Sequence, residues 1–124
     1  MIFRTKTSKQ TMEIFNSFAK SEHLQPFILA KLAISLSIKN DFHYSEELLQ
    51  DTLGLDLNRQ TITGEYDLLY KALIAINEGR NISEEEFFPN MIKAYMDNGA
   101  KLLEQEYKYS TDFFIHLVEL DKGI

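Results

Sequence analysis

The chain has 124 residues, 44% of them apolar and 26% charged, with 5 Gly and 2 Pro, which suits one hydrophobic core and excludes a multidomain machine or a disordered chain. The absence of Cys excludes a disulfide framework, a Cys-ligated zinc or iron–sulfur centre and a thiol nucleophile on this chain. A net charge of −6 excludes a surface that attracts nucleic acid on every side.

Met1 to Thr5 alternate like a short strand, with Ile2 and Arg4 on one side and Phe3 and Thr5 on the other, and Lys6 continues the Arg4 side. Ser8 is a candidate N-cap for an amphipathic helix of about four turns, with Met12, Phe15 and Ala19 on its apolar face and Lys9, Glu13, Asn16 and Lys20 on its polar face. Pro26 starts a second helix that runs to about Lys39. That helix is apolar almost all round, with a polar stripe of Lys31, Ser35 and Lys39 and a lone Ser37 off it. Burial on nearly all sides in so small a protein predicts self-association through this helix, with Ile34 as an expected interface position.

Ser45 is expected to cap a short helix through Leu48, Leu49 and Leu53 that Gly54 ends. Leu55 to Gly64 has no clean helical period and reads as a structured loop holding Asp56, Asn58 and Arg59. From Glu65 a helix carries Tyr66, Leu69, Tyr70, Leu73, Ile74 and Ile76 and stops at Gly79. Ser83-Glu84-Glu85-Glu86 matches a capping box, with its acids placed where the helix dipole favours them. Pro89 forces a kink or a new start, and Asn98-Gly99 predicts a stop or bend. A last helix is expected from Ser110 or Thr111, carrying Phe113, Phe114, Leu117, Val118 and Leu120. The expected fold class is mainly α: one compact multi-helix domain over 1–124 with a short N-terminal strand and a ribbon-helix-helix-like front end.

His23, His43 and His116 are far apart and match no ligand spacing, and no glycine-rich phosphate cradle or nucleophile elbow is present. No cofactor or metal is expected. With no unbroken signal core or membrane-length apolar run, a cytoplasmic protein without a membrane partner is expected.

The average charge hides an asymmetry. Residues 1–42 set Arg4, Lys6, Lys9, Lys20, Lys31 and Lys39 against Glu13, Glu22 and Asp41, a net +3, whereas residues 43–124 set 7 bases against 16 acids, a net −9. Those six bases are the candidate phosphate-binding surface, and the acidic remainder is expected to face solvent or protein. Phe3 and Phe42, outside the helical aromatic stripes, are the candidates for base stacking or a subunit contact.

The run Phe3-Arg4-Thr5-Lys6-Thr7-Ser8-Lys9, followed by Leu24 to Ser37 (LQPFILAKLAISLS), resembles the front half of the DNA sulfur modification protein DndE family. Asn58 to Asp67 (NRQTITGEYD) with Leu69-Tyr70, and Asn98 to Leu103 (NGAKLL), resemble the rest, so the likeness spans nearly the whole chain. The resemblance implies a small helical, self-associating subunit, a tetramer, of the system that replaces a non-bridging phosphate oxygen of DNA with sulfur. It further implies binding to double-stranded, nicked DNA and work beside the DndC and DndD components, with a separate cysteine desulfurase mobilising the sulfur. No catalytic residue is carried over, so a non-catalytic subunit is expected. The alternatives are a ribbon-helix-helix regulator that reads an operator and, more distantly, a nickase.

Overall fold

The computed structural model describes residues 3–108; the expected last helix, Met1, Ile2 and His116 lie outside them. Strand β1 (Arg4–Lys6) leads into α1 (Lys9–Ser21) and α2 (Pro26–Lys39), so the strand-helix-helix order of the front end is present. A 3₁₀ turn (Glu46–Leu49), strand β2 (Asp56–Asn58), the one-turn α3 (Arg59–Ile62), α4 (Asp67–Glu78) and α5 (Ile92–Lys108) follow.

β1 pairs antiparallel with β2 of the same chain, Thr5 opposite Leu57. Thr5 and Leu57 face the core while Arg4, Lys6 and Asp56 face out, as strand alternation requires. The segment expected to be a loop thus contains a strand and a helical turn. At three and four residues both are too short to repeat their own pattern, so periodicity does not reveal them. Asn58 caps α3, its Oδ1 accepting from Thr61 N at 2.7 Å.

In α1 Ser8 is the N-cap, accepting from Thr11 N at 3.1 Å. The buried stripe is Thr11, Ile14, Phe15 and Phe18, rotated from the expected Met12, Phe15 and Ala19. Thr11 is inside because its hydroxyl donates to the Asp97 carboxylate at 2.7 Å.

α2 lies along α5 in the most extensive helix pairing of the fold. Leu29, Ala30, Ala33 and Ile34 are fully enclosed within this one chain. The middle of α2 is therefore covered by the chain itself, and Ile34 belongs to its core, not to an interface, whereas Phe27 at the start of the helix stays 43% exposed. The helices meet backbone to backbone where Gly99 faces Ala33: a Cβ on Gly99 would overlap the Ala33 carbonyl. This corrects the expected stop at Asn98-Gly99, since α5 runs straight through and the glycine serves a close approach. Ser37 hydroxyl donates to Tyr95 O at 2.6 Å across the same seam and accepts from Asn98 Nδ2 at 3.1 Å.

The expected helix from Ser45 to Gly54 shrinks to the 3₁₀ turn, and Ser45 makes no side-chain cap bond. Leu53 is 75% exposed and supplies no buried face to extend it. Gly54 instead lies against the start of α1, donating its N–H to Thr7 O at 2.9 Å, where a Cβ would overlap Ser8 O. α4 ends as expected at Gly79, in the left-handed region with φ of 76°. Ser83 caps the next turn, accepting from Glu86 N at 3.1 Å, and Phe88 before Pro89 is extended (φ −129°, ψ 128°), which makes the kink.

Candidate nucleic-acid interface

Arg4 and Lys6 project from the outer side of β1, and Lys9 begins α1 three residues later; all three are exposed. Arg4 Nε donates to Asp56 Oδ1 at 3.0 Å, with both side chains about half exposed, so solvent screens the pair and it adds little to stability. Arg4, Thr5, Lys6, Thr52 and Asp56 line a shallow depression of about 340 Å³. Asp51 lies beside it: its carboxylate accepts from Leu53 N at 3.0 Å and Lys9 N at 3.2 Å, and these bonds, that to Leu53 first, keep its pKa below the ordinary carboxylate value. The surface is basic with two acids set into it.

Lys20 and Lys39 are exposed in the last turns of α1 and α2. Lys9 and Lys20 lie about 16 Å apart along the α1 axis, at 1.5 Å per residue, so a duplex touching both must follow the helix. Lys31 is differently placed. It is half-buried, its Nζ donating to Thr61 O at 3.3 Å and Phe27 O at 3.4 Å and lying 5.4 Å from the Phe27 ring centroid, and desolvation lowers its pKa. Lys31 ties α2 to α3. The structure thus groups Arg4, Lys6 and Lys9 locally, leaves Lys20 and Lys39 on helix ends, and turns Lys31 inward.

Of the two candidate aromatics, Phe42 is committed to the fold. Its ring meets Tyr95 edge-on at 4.9 Å, and its carbonyl accepts from Asn77 Nδ2 at 2.5 Å. Phe3 is 57% exposed and borders a hollow of about 340 Å³ with Asn58, Arg59, Gln60, Gly64 and Asp67. His23 and His43 are exposed, and among the described residues no group of three His, Cys, Asp or Glu can hold a metal ion. No helix among them is long and apolar enough to cross a membrane.

Sequence reasoning missed the centre that orders this region, Arg59. Its Nε and Nη2 donate to the two Asp67 oxygens at 2.8 and 2.6 Å, Nη1 pairs with Glu84, and the guanidinium lies 5.3 and 5.1 Å from the Phe87 and Phe88 ring centroids. The hydrogen bond to Asp67 leads the causes that raise the Arg59 pKa. Burial pushes the Asp67 pKa up, but the Arg59 and Thr63 hydrogen bonds outweigh it and leave it lowered. Lys71 joins through Glu84 at 3.3 Å, and Arg80 holds Glu86 at 2.6 Å. Two of the three capping-box acids are therefore ion-pair partners as well as dipole-favoured residues. The spacing of Arg59 and Asp67 in NRQTITGEYD was the one available signal, and it gives no hint of Glu84.

The described residues define a small, mainly helical domain with a short two-stranded sheet and a basic strand-and-helix edge. The model of the family described as DNA sulphur modification protein DndE matches residues 4–111, and the chain belongs to that family. The crystal structure of DndE from Escherichia coli B7A, involved in DNA phosphorothioation modification, shares the fold at a TM-score of 0.60 and 22% identity, covering 83% of this chain and 98% of that one. A mutant DndE involved in DNA phosphorothioation is similar at a TM-score of 0.62 and 22% identity, over 85% and 99% of the two chains. No curated protein matches.

Proposed function

We propose that this chain is a non-catalytic, DNA-binding subunit of a DNA phosphorothioation system, contacting the duplex backbone through Arg4, Lys6 and Lys9, with Lys20 and Lys39 extending the contact. The observation that carries the reading is the exposed basic edge at β1 and the start of α1, in a member of the family of DNA sulphur modification proteins. Phosphate contacts from Lys and Arg position a protein on DNA without reading sequence, which suits a subunit that presents the backbone for chemistry done elsewhere. The chain has no Cys, so a persulfide would have to arrive on a partner, and the DndC and DndD components are the partners this reading names. Self-association, to a tetramer, multiplies a modest basic edge into several contacts on one duplex. Nicked DNA is the preferred form in this reading, because a nick bends at lower cost and lets more than one subunit engage.

The regulator reading is disfavoured by β1. A ribbon-helix-helix protein pairs that strand with its twin in a second chain, whereas here β1 pairs with β2 of its own. Fluorescence anisotropy with nicked and intact duplexes of one sequence tests the proposal: tighter binding of the nicked form and near-equal affinity across sequences are expected. A loss of about 1–3 kcal/mol per mismatched base pair would favour the regulator instead. Relaxation of supercoiled plasmid by the pure protein with Mg²⁺ or Mn²⁺ would show a nickase.

A further inference from the structure

The hollow of about 340 Å³ beside Phe3, at the end of the two-stranded ribbon, has the makeup of a site for a flat, uncharged ring. Its volume falls in the range of small-molecule clefts, roughly 300–1,000 Å³. The Phe3 ring borders it and is 57% exposed, so an aromatic surface is free there. The backbone beneath that ring is fixed, because Phe3 O accepts from Arg59 N at 2.7 Å and ties the start of β1 to α3. Gly64 brings no side chain, and only the Gln60 amide nitrogen, at 3.8 Å, stands near where its Cβ would be. Gln60 is exposed and its amide has no partner among the described residues, so it offers both a donor and an acceptor. Asn58 spends its oxygen on Thr61 N and keeps its amide donors. The charged residues of the lining, Arg59 and Asp67, are committed to each other.

We propose that this hollow receives an unpaired nucleobase of DNA, stacked on Phe3 and met at its edge by Gln60 and Asn58. The inference rests on the DNA binding proposed above and adds a base site to a surface argued there only for phosphates.

Two features select a nucleobase. The first is placement. Arg4 and Asn58 are opposite each other in the β1–β2 register, and opposed residues share one side of an antiparallel sheet with Cβ atoms about 5 Å apart. The hollow therefore adjoins the basic edge, and a phosphate on Arg4 lies within one nucleotide of it. The second is the division of charge: cations on the outer side of β1, and a ring with uncharged amides in the hollow, match a nucleotide's anionic phosphate and neutral base. A base inside a duplex shows the protein only its edge, so stacking on Phe3 takes one that has left the stack. The Gln60 amide adds a preference for adenine, whose N6 and N7 it can meet bidentately.

Fluorescence anisotropy of the full chain with three duplexes of one sequence tests the site: one fully paired, one with an extra unpaired adenine, and one with an abasic site at that extra position. The last two carry the same backbone charge. The unpaired adenine should bind roughly five- to hundredfold more tightly than the abasic site, the range for one base stacked on an aromatic ring. Phe3→Ala should remove that ratio, Phe3→Trp should keep it, and Gln60→Ala should lower the preference for adenine over thymine at the unpaired position. With 5-iodouracil there, irradiation should crosslink the DNA to Phe3. Equal affinity of the wild type for the adenine and abasic duplexes, or a ratio that survives Phe3→Ala, would overturn the base site and leave the phosphate contacts standing. Crosslinking to Phe27 or Tyr66, which are also exposed, in place of Phe3 would reject the hollow. A Phe3→Ala variant that loses all three duplexes alike would reject the stacking role, and a wild type that binds none of them would overturn the DNA-binding reading itself.

Discussion

Asp97 is 3% exposed, yet it carries a carboxylate shared among Lys93 Nζ at 2.6 Å, Thr11 Oγ1 at 2.7 Å and Ser8 N at 3.1 Å. Lys93 Nζ also donates to Asp51 O at 2.7 Å, so one ion pair in α5 holds both the start of α1 and the loop before β2. A buried pair adds little net stability over an apolar pair, but removing one partner strands the other charge. Asp97→Ala should therefore cost about 3–5 kcal/mol, and Asp97→Leu with Lys93→Met much less. Urea titration of the single and double variants reads the difference directly. Arg59 gives a second, pH-dependent prediction. Its hydrogen bond to Glu84 leads the causes that lower the Glu84 pKa below 4.5, and the net effect of burial opposed by Arg59 and Thr63 lowers Asp67 below 3.8. The folded state thus binds fewer protons than the unfolded chain just below these values, so the stabilisation is complete above about pH 5 and lost as pH falls through the depressed folded-state values. Acid unfolding of the wild type should steepen in that window, and Arg59→Met should flatten it; parallel curves for the two proteins would reject the assignment.

The long elements α1, α2 and α4 are legible in the sequence because each repeats a 3.6-residue period several times between recognisable caps and breakers. β2 and α3 are not, because three and four residues hold too little pattern, and what fixes them is β1, some fifty residues earlier. Gly99 shows the other limit. A glycine after an asparagine predicts a stop on local grounds, while its use here, admitting the Ala33 backbone, depends on a helix sixty residues away. The same division holds for the candidate site. Exposure of Arg4 and Lys6 follows from strand parity, whereas the inward turn of Lys31 depends on the Thr61 carbonyl and cannot be read from the α2 polar stripe. Gly99→Ala should consequently cost more than the roughly 1–3 kcal/mol typical of overpacking, since the added atom would meet backbone and not a movable side chain. Thermal unfolding followed by circular dichroism measures it. Ile34→Glu should likewise abolish folding, so it tests the core and is silent on assembly.

At the scale of the whole molecule, the division into a basic front and an acidic back gains a physical refinement. Glu84 and Glu86 are engaged with Arg59, Lys71 and Arg80, so reversing Glu84 would disturb the fold as well as the field. Glu85 is exposed, and its reversal to Lys is the cleaner change: DNA affinity should stay level or rise if the back half merely repels phosphates. On the front, if Lys6, Lys9 and Lys20 each neutralise a phosphate, replacing all three by Ala should lower the slope of log affinity against log salt by roughly three units and weaken binding alike on unrelated sequences. These are exposed positions, so the circular dichroism spectrum should not change. Lys31→Ala should behave otherwise, because its ammonium holds the Thr61 carbonyl: the midpoint of thermal unfolding should fall, with little change in salt slope. Full binding by the triple variant would move the DNA surface elsewhere on the molecule. A slope change for Lys31→Ala as large as that of an exposed lysine would show that its side chain leaves Thr61 to reach the phosphate.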